Sequence, residues 1–128
     1  MTRDAAARTI PLPFPKPRKP KARRGTNPET LLQKAIEDAI IASGRAIVYR
    51  NNGGVARYGE ARVRYGLAPG SADLIGMLVP SGRFLAVEVK MPGKHLEPDQ
   101  VRWRDVVVRA GGLHVVAHSV AEVLDALA

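Results

Sequence analysis

The chain is 128 residues long, 45% hydrophobic and free of cysteine; one domain is the expectation, and a disulfide scaffold, thiol catalysis and a cysteine zinc site are excluded. Twenty Lys and Arg against 12 Asp and Glu leave a net charge of +8, so a polyanion, either nucleic acid or an anionic membrane surface, is the first partner to consider. No apolar run approaches the roughly 20 residues that span a bilayer, and Met1-Thr2-Arg3-Asp4 lacks the layout of a secretory leader; no membrane partner and a cytoplasmic location are expected.

The charge is unevenly spread. Residues 1–28 hold eight Lys and Arg against one acid, and six of the ten prolines. Residues 1–25 therefore read as a basic, proline-rich arm. The alternation Pro11-Leu12-Pro13-Phe14-Pro15 removes backbone donors and blocks helix and central strand alike. Its cations Lys16, Arg18, Lys19, Lys21, Arg23 and Arg24 suit a nucleic-acid grip, or else a solubilising leader. Residues 26–128 form the expected globular domain.

Thr26-Asn27-Pro28-Glu29 predicts a helix start, with cap candidates, an N-terminal proline and an acid at the positive end of the dipole. Leu31, Leu32, Ala35, Ile36, Ala39 and Ile40 recur at helical spacing up to Gly44. A strand follows at Ala46–Arg50, then the turn signal Asn51-Asn52-Gly53-Gly54. Val55–Leu67 is ambiguous. The apolar runs 72–79 and 84–90, joined by Pro80-Ser81-Gly82, predict a β-hairpin covered on both faces. Glu97-Pro98-Asp99 opens a second helix with Trp103, Val106 and Val107 on its buried side, ended by Gly111-Gly112. A strand at 113–117 and a short helix from Ser119, with a capping-box Glu122, complete the order. The fold class is α/β, a mixed β-sheet flanked by helices.

Asp73, Glu88 and Lys90 interrupt the two most apolar stretches. Folding the hairpin brings Asp73 beside Glu88 and Lys90, which share one face. Two carboxylates about 4 Å apart repel by about 4 kcal/mol at an effective dielectric near 20. A shared proton, the lysine or a divalent cation must compensate. An all-oxygen donor set favours Mg²⁺ or Mn²⁺, and these are the parts of metal-dependent phosphodiester hydrolysis. The plainer alternative is a Glu88–Lys90 surface pair on an edge strand.

Gly70-Ser71-Ala72-Asp73, then fourteen residues, then Glu88-Val89-Lys90 resembles the D…ExK motif of the PD-(D/E)xK nucleases, whose core is restriction-endonuclease-like. With Glu29 and Gln33, Arg50-Asn51-Asn52-Gly53, Pro69-Gly70-Ser71-Ala72-Asp73-Leu74, and Gln100 with Trp103, the chain resembles the VRR-NUC family from Glu29 to about Leu127. The resemblance implies a Mg²⁺-dependent DNA endonuclease, with Mn²⁺ as a substitute. Asp73, Glu88 and the Val89 backbone carbonyl would hold the metal, Lys90 would be the catalytic lysine, Gln100 would sit beside the site, and Glu29 would reach the metal or its water. It also implies branched DNA such as four-way junctions or flaps, 5′-phosphate products, a homodimer, and a bacterial or phage-infected host cell. Ala72 departs from the superfamily's proline, and Glu97 from the family's Ser or Thr cap.

Arg50, Asn52, Arg57, Arg62, Arg64 and Lys94 are the DNA-contact candidates of the globular part. Glu29 could instead serve only its own helix cap, and the three arginines a solvated face. His114 and His118 flank a strand about 13 Å apart, too far to share a metal. The other functional class is a non-catalytic nucleic-acid-binding protein with a nuclease-like fold. Restriction-type sequence-specific cleavage would need a target-reading element for which roughly 100 residues leave no obvious room.

Overall fold

The computed structural model describes residues 27–65 and 67–128; the arm read at residues 1–25 lies outside the described residues. Helix α1 spans Pro28–Ser43. Asn27 starts it: its side chain accepts a 2.8 Å hydrogen bond from the Glu29 N–H, one of the donors the first turn leaves unpaired. Gly44 ends it at φ 69°, a left-handed conformation that glycine adopts without a Cβ penalty. Ile36 and Ile40, one turn apart, are its fully buried residues, whereas Leu31 of the same apolar series faces solvent.

Six strands and two further helices follow in the order β1 (Ala46–Arg50), β2 (Gly54–Tyr58), β3 (Ala61–Tyr65), β4 (Leu74–Leu78), β5 (Phe84–Val89), α2 (Pro98–Arg109), β6 (Leu113–Ala117) and α3 (Val120–Leu127). The main sheet is mixed, in the order β1-β4-β5-β6. β4 pairs antiparallel with both β1 and β5, while β5 and β6 are parallel and joined through α2, the crossover a parallel pair requires. The alternation along β5 sorts its side chains between two layers. Leu85, Val87 and Val89 pack with Ile36 and Ile40 of α1 and Val123 of α3. Ala86 faces the other way, against Ala72, Val107 and Trp103.

One open reading is resolved and two expectations change. The ambiguous stretch forms β2 and β3, a separate two-stranded ribbon that reverses at Gly59-Glu60. The strands are not covered on both faces. Ile47, Met77 and Phe84 stand side by side across β1, β4 and β5, and are 45%, 42% and 41% exposed; α2 covers only the β5–β6 side of the sheet and reaches the row only at its end, where Trp103 meets the Phe84 ring edge-on at 6.3 Å. On α2 itself Val107 is buried and Trp103 partly so, but Val106 is exposed.

Gly76 lies opposite Val48 in the β1–β4 ladder, where a Cβ would collide with the Ile47 carbonyl oxygen. Backbone cannot yield there without breaking the β1–β4 pairing. Gly76→Ala is therefore expected to cost about 3 kcal/mol or to prevent folding; a urea midpoint equal to wild type would contradict this packing.

Candidate active site

The β4–β5 ladder sets the site. Leu74 pairs with Val87, so the next rung outward places Asp73 opposite Glu88. Glu88 shares the α2 side of the sheet with Ala86 and is only 4% exposed. The surface-pair alternative needed an edge strand; β5 instead runs between β4 and β6. Lys90 lies just past the end of β5, half-buried, with its backbone N–H donating to the Ala117 carbonyl at 3.0 Å.

Asp73 and Glu88 are held differently. One Asp73 oxygen, Oδ2, accepts the Val89 backbone N–H at 2.8 Å, tying the loop before β4 to the end of β5. Glu88 Oε1 accepts from the Gln100 side-chain nitrogen at 3.2 Å. Among the described residues Glu88 Oε2 is buried without a hydrogen-bond partner. Burial, followed by the adjoining negative charge of Asp73, pushes the Glu88 carboxyl up from 4.5 to about 8; Lys90 opposes the rise and Glu29 adds to it. A buried carboxylate oxygen without a donor is unfavourable. It calls for a proton or a cation.

Gln100 can be oriented in only one way. Its Oε1 accepts the Glu97 backbone N–H at 2.8 Å, and a backbone N–H can only donate, so the amide nitrogen must face Glu88. Glu97 thereby caps α2 with its main chain, without the Ser or Thr side chain usual at such a cap. The turn before Asp73 is seated on this same helix start. Gly70 has φ 87°, and a Cβ there would stand 2.4 Å from the Asp99 carbonyl oxygen.

Asn51 is the residue that sequence reasoning passed over in favour of its neighbours. Its backbone N–H donates to the Asp73 carbonyl at 2.8 Å. Its side-chain nitrogen donates to Ser71 Oγ at 2.8 Å and to the Ala72 carbonyl at 3.0 Å. Asn51 thus fixes the three residues that deliver the Asp73 carboxylate. The only sequence signal was its place in Arg50-Asn51-Asn52-Gly53, which does not reveal a partner twenty residues away.

The remaining candidates spread outward. Glu29 is exposed at the start of α1, although its charge is felt at Glu88. Arg50 and Asn52 are exposed at the end of β1 and just beyond it. Arg57 and Arg62 are exposed and directly opposite each other on the ribbon, and Arg64 pairs with Val55 along its backbone. Lys94 is exposed, and its carbonyl oxygen lies 3.1 Å from His118 Nε2. Lys16, Arg18, Lys19, Lys21, Arg23 and Arg24 lie outside the described residues. The two histidines are in separate settings. His114 stacks edge-on to Trp103, and burial holds its pKa low. His118 joins Lys94 to Glu122, and the Lys94 carbonyl, then Glu122, raise its pKa.

Among the described residues no three His, Cys, Asp or Glu side chains gather as a metal cluster. The pair Asp73 and Glu88 still suits a hard cation. It offers two carboxylates in one place, one of them with a buried, unsatisfied oxygen.

The raised Glu88 pKa has a definite sign. Between pH 4.5 and about 8 the folded state keeps a proton that the unfolded chain has lost, so metal-free protein loses stability as pH rises through that window. Urea unfolding from pH 4.5 to 8.5 should show this decline, and Glu88→Gln should flatten it. An equal pH dependence in the variant would refute the assignment. Asn51→Ala, which strips the Ser71–Ala72 segment of its side-chain donor, should lower the unfolding free energy by about 1–2 kcal/mol.

A family model for the VRR-NUC domain matches residues 27–121, from the cap of α1 to the first turn of α3. A solved structure described as a VRR_NUC domain is 24% identical and superposes with a TM-score of 0.53, the match covering 76% of this chain and 90% of that one. It shares the fold. No curated protein matches the chain. With the family match extending over α1, all six strands and α2, the chain belongs to the VRR-NUC family and carries a nuclease-family domain.

Proposed function

We propose that the protein is a divalent-metal-dependent DNA endonuclease that hydrolyses phosphodiester bonds at the Asp73–Glu88 rung. The observation that carries this reading is the buried Glu88 carboxylate, which faces Asp73 and has one oxygen unsatisfied. Asp73, Glu88 and the Val89 carbonyl would hold Mg²⁺, or Mn²⁺ in its place. When bound, such a cation polarises a phosphate oxygen and lowers the pKa of a water.

The chain's own groups supply the rest. The Val89 N–H occupies Oδ2 of Asp73 and leaves Oδ1 for the cation. Gln100 holds Oε1 of Glu88, which leaves Oε2 as the open donor. As the ammonium, Lys90 would offset the negative charge that develops on the phosphate; as the neutral amine it would instead take a proton from the attacking water. Glu29, exposed at the start of α1 with its charge felt at Glu88, would orient that water.

Branched DNA is the proposed substrate and a homodimer the proposed assembly. A symmetric pair presents two sites to two strands, and the exposed row Ile47, Met77 and Phe84 offers apolar surface for a second copy. The domain division at residues 25 and 26 stays part of this reading, with the basic arm gripping DNA away from the acidic centre.

The test is cleavage of junction, flap and linear DNA with Mg²⁺ or Mn²⁺. Glu88→Ala and Lys90→Ala should each lose at least about 100-fold in rate, with branched substrates preferred by wild type. Variants that cut as well as wild type would remove the site assignment. Binding without metal-dependent cleavage would instead leave a non-catalytic nucleic-acid-binding protein.

A further inference from the structure

Among the described residues the β2–β3 ribbon pairs only with itself and belongs to neither layer of the main sheet. Its neck is at the site: the Asn51 N–H donates to the Asp73 carbonyl, so the chain leaves for the ribbon and returns from it beside the proposed metal ligand. An isolated two-stranded ribbon is marginally stable in water. This one carries a further cost. Arg57 and Arg62 are direct cross-strand partners, and like charges in that position repel. Both are exposed, and among the described residues neither meets a carboxylate within salt-bridge distance. Lys34 is engaged with Asp38, Arg104 with Asp105, and Arg83 with the Gly111 and Gly112 carbonyls, whereas Arg45, Arg50, Arg102 and Arg109 also lack a carboxylate partner among the described residues; what sets Arg57 and Arg62 apart is that they face each other across one ladder. The ribbon therefore presents two adjacent, exposed guanidinium groups with no carboxylate partner among the described residues, open to an external anion.

We propose that the ribbon is a phosphate clamp, with Arg57 and Arg62 gripping the backbone of duplex DNA on one side of the cut. The identity of the anion rests on the nuclease reading above; the unsatisfied cation pair does not. Six residue steps from Asn51 to Arg57 reach at most about 20 Å. At about 3.4 Å per base pair, the clamp touches DNA within about six base pairs of the scissile phosphate. A two-stranded ribbon also fits the major groove, so it can lie along the duplex while its neck stays at the metal site.

The test uses the full chain. Binding to a duplex-armed junction is measured in EDTA over a range of salt concentrations, and cleavage with Mg²⁺. Arg57→Gln/Arg62→Gln should make the slope of log K against log salt shallower by about two units, since each phosphate contact contributes about 0.9. KM should rise by about tenfold, more than kcat changes. Arg57→Lys/Arg62→Lys should retain the wild-type slope, because an ammonium also serves as a phosphate point charge. The Gln variant should melt no lower than wild type, since a repulsion has been removed. Trimming the gripped arm to fewer base pairs than the clamp needs should give wild type the slope and KM of the variant.

An unchanged slope and KM in an enzyme that cuts would overturn the clamp and leave the nuclease reading intact. An unchanged slope with altered oligomeric state would overturn it in favour of a protein contact. An arginine-dependent slope in a wild-type protein that cuts no DNA would uphold the clamp and defeat the nuclease reading.

Discussion

The hydrogen bond from the Val89 N–H to the Asp73 carboxylate is the joint on which the site depends. It spends a backbone donor of a central strand on a side chain from the preceding loop, and so locks that carboxylate against the rung of Glu88. Neither acid could be placed this closely by a flexible loop. The repulsion between them would drive such a loop apart. The ladder on one side and Asn51 on the other supply the restraint.

The rest of the architecture supports this strained pair. The layer of α1 and α3 buries Leu85, Val87 and Val89, which fixes β5 and aims Glu88 at the opposite face. The start of α2 brings Gln100, whose amide is committed to Glu88 because its oxygen is already occupied by the Glu97 N–H. Gly70 lets the turn before Asp73 sit directly on the same helix start, since any Cβ would meet the Asp99 carbonyl. Four separate segments thus converge on two carboxylates, and the carboxylate left with an open oxygen is the one pushed up to about 8.

Electrostatics divide the molecule. The sequence excess of +8 lies almost wholly in residues 1–28, and the domain beyond is nearly neutral, with Asp73 and Glu88 at the end of the β4–β5 ladder. Within that near-neutral domain, the ribbon concentrates Arg57 and Arg62 on one projecting element whose neck touches Asp73. Attraction for a polyanion and the acidic centre are thereby kept apart while remaining chain-adjacent.

Much of this was legible in the residues themselves. Asn27-Pro28 and Gly44 marked both ends of α1, because caps are local chemistry, and the apolar runs marked β4 and β5. Asp73, Glu88 and Lys90 stood out because charge inside an apolar strand demands a reason, and their spacing carried the family resemblance. What the sequence could not encode locally was which strands become neighbours. That pairing made β5 interior, left Ile47 and Met77 open beyond the reach of α2, and turned an ambiguous stretch into a separate ribbon. Asn51 escaped notice for the same reason: its hydrogen bonds run to residues 71–73, and only folding brings them within reach. The sequence by itself determined the elements, the charge division and the acidic motif, which depend on neighbours a few residues apart. The tertiary structure alone decided burial, the orientation of Gln100 and the tie between Asp73 and β5, because these depend on contacts between segments distant in the chain.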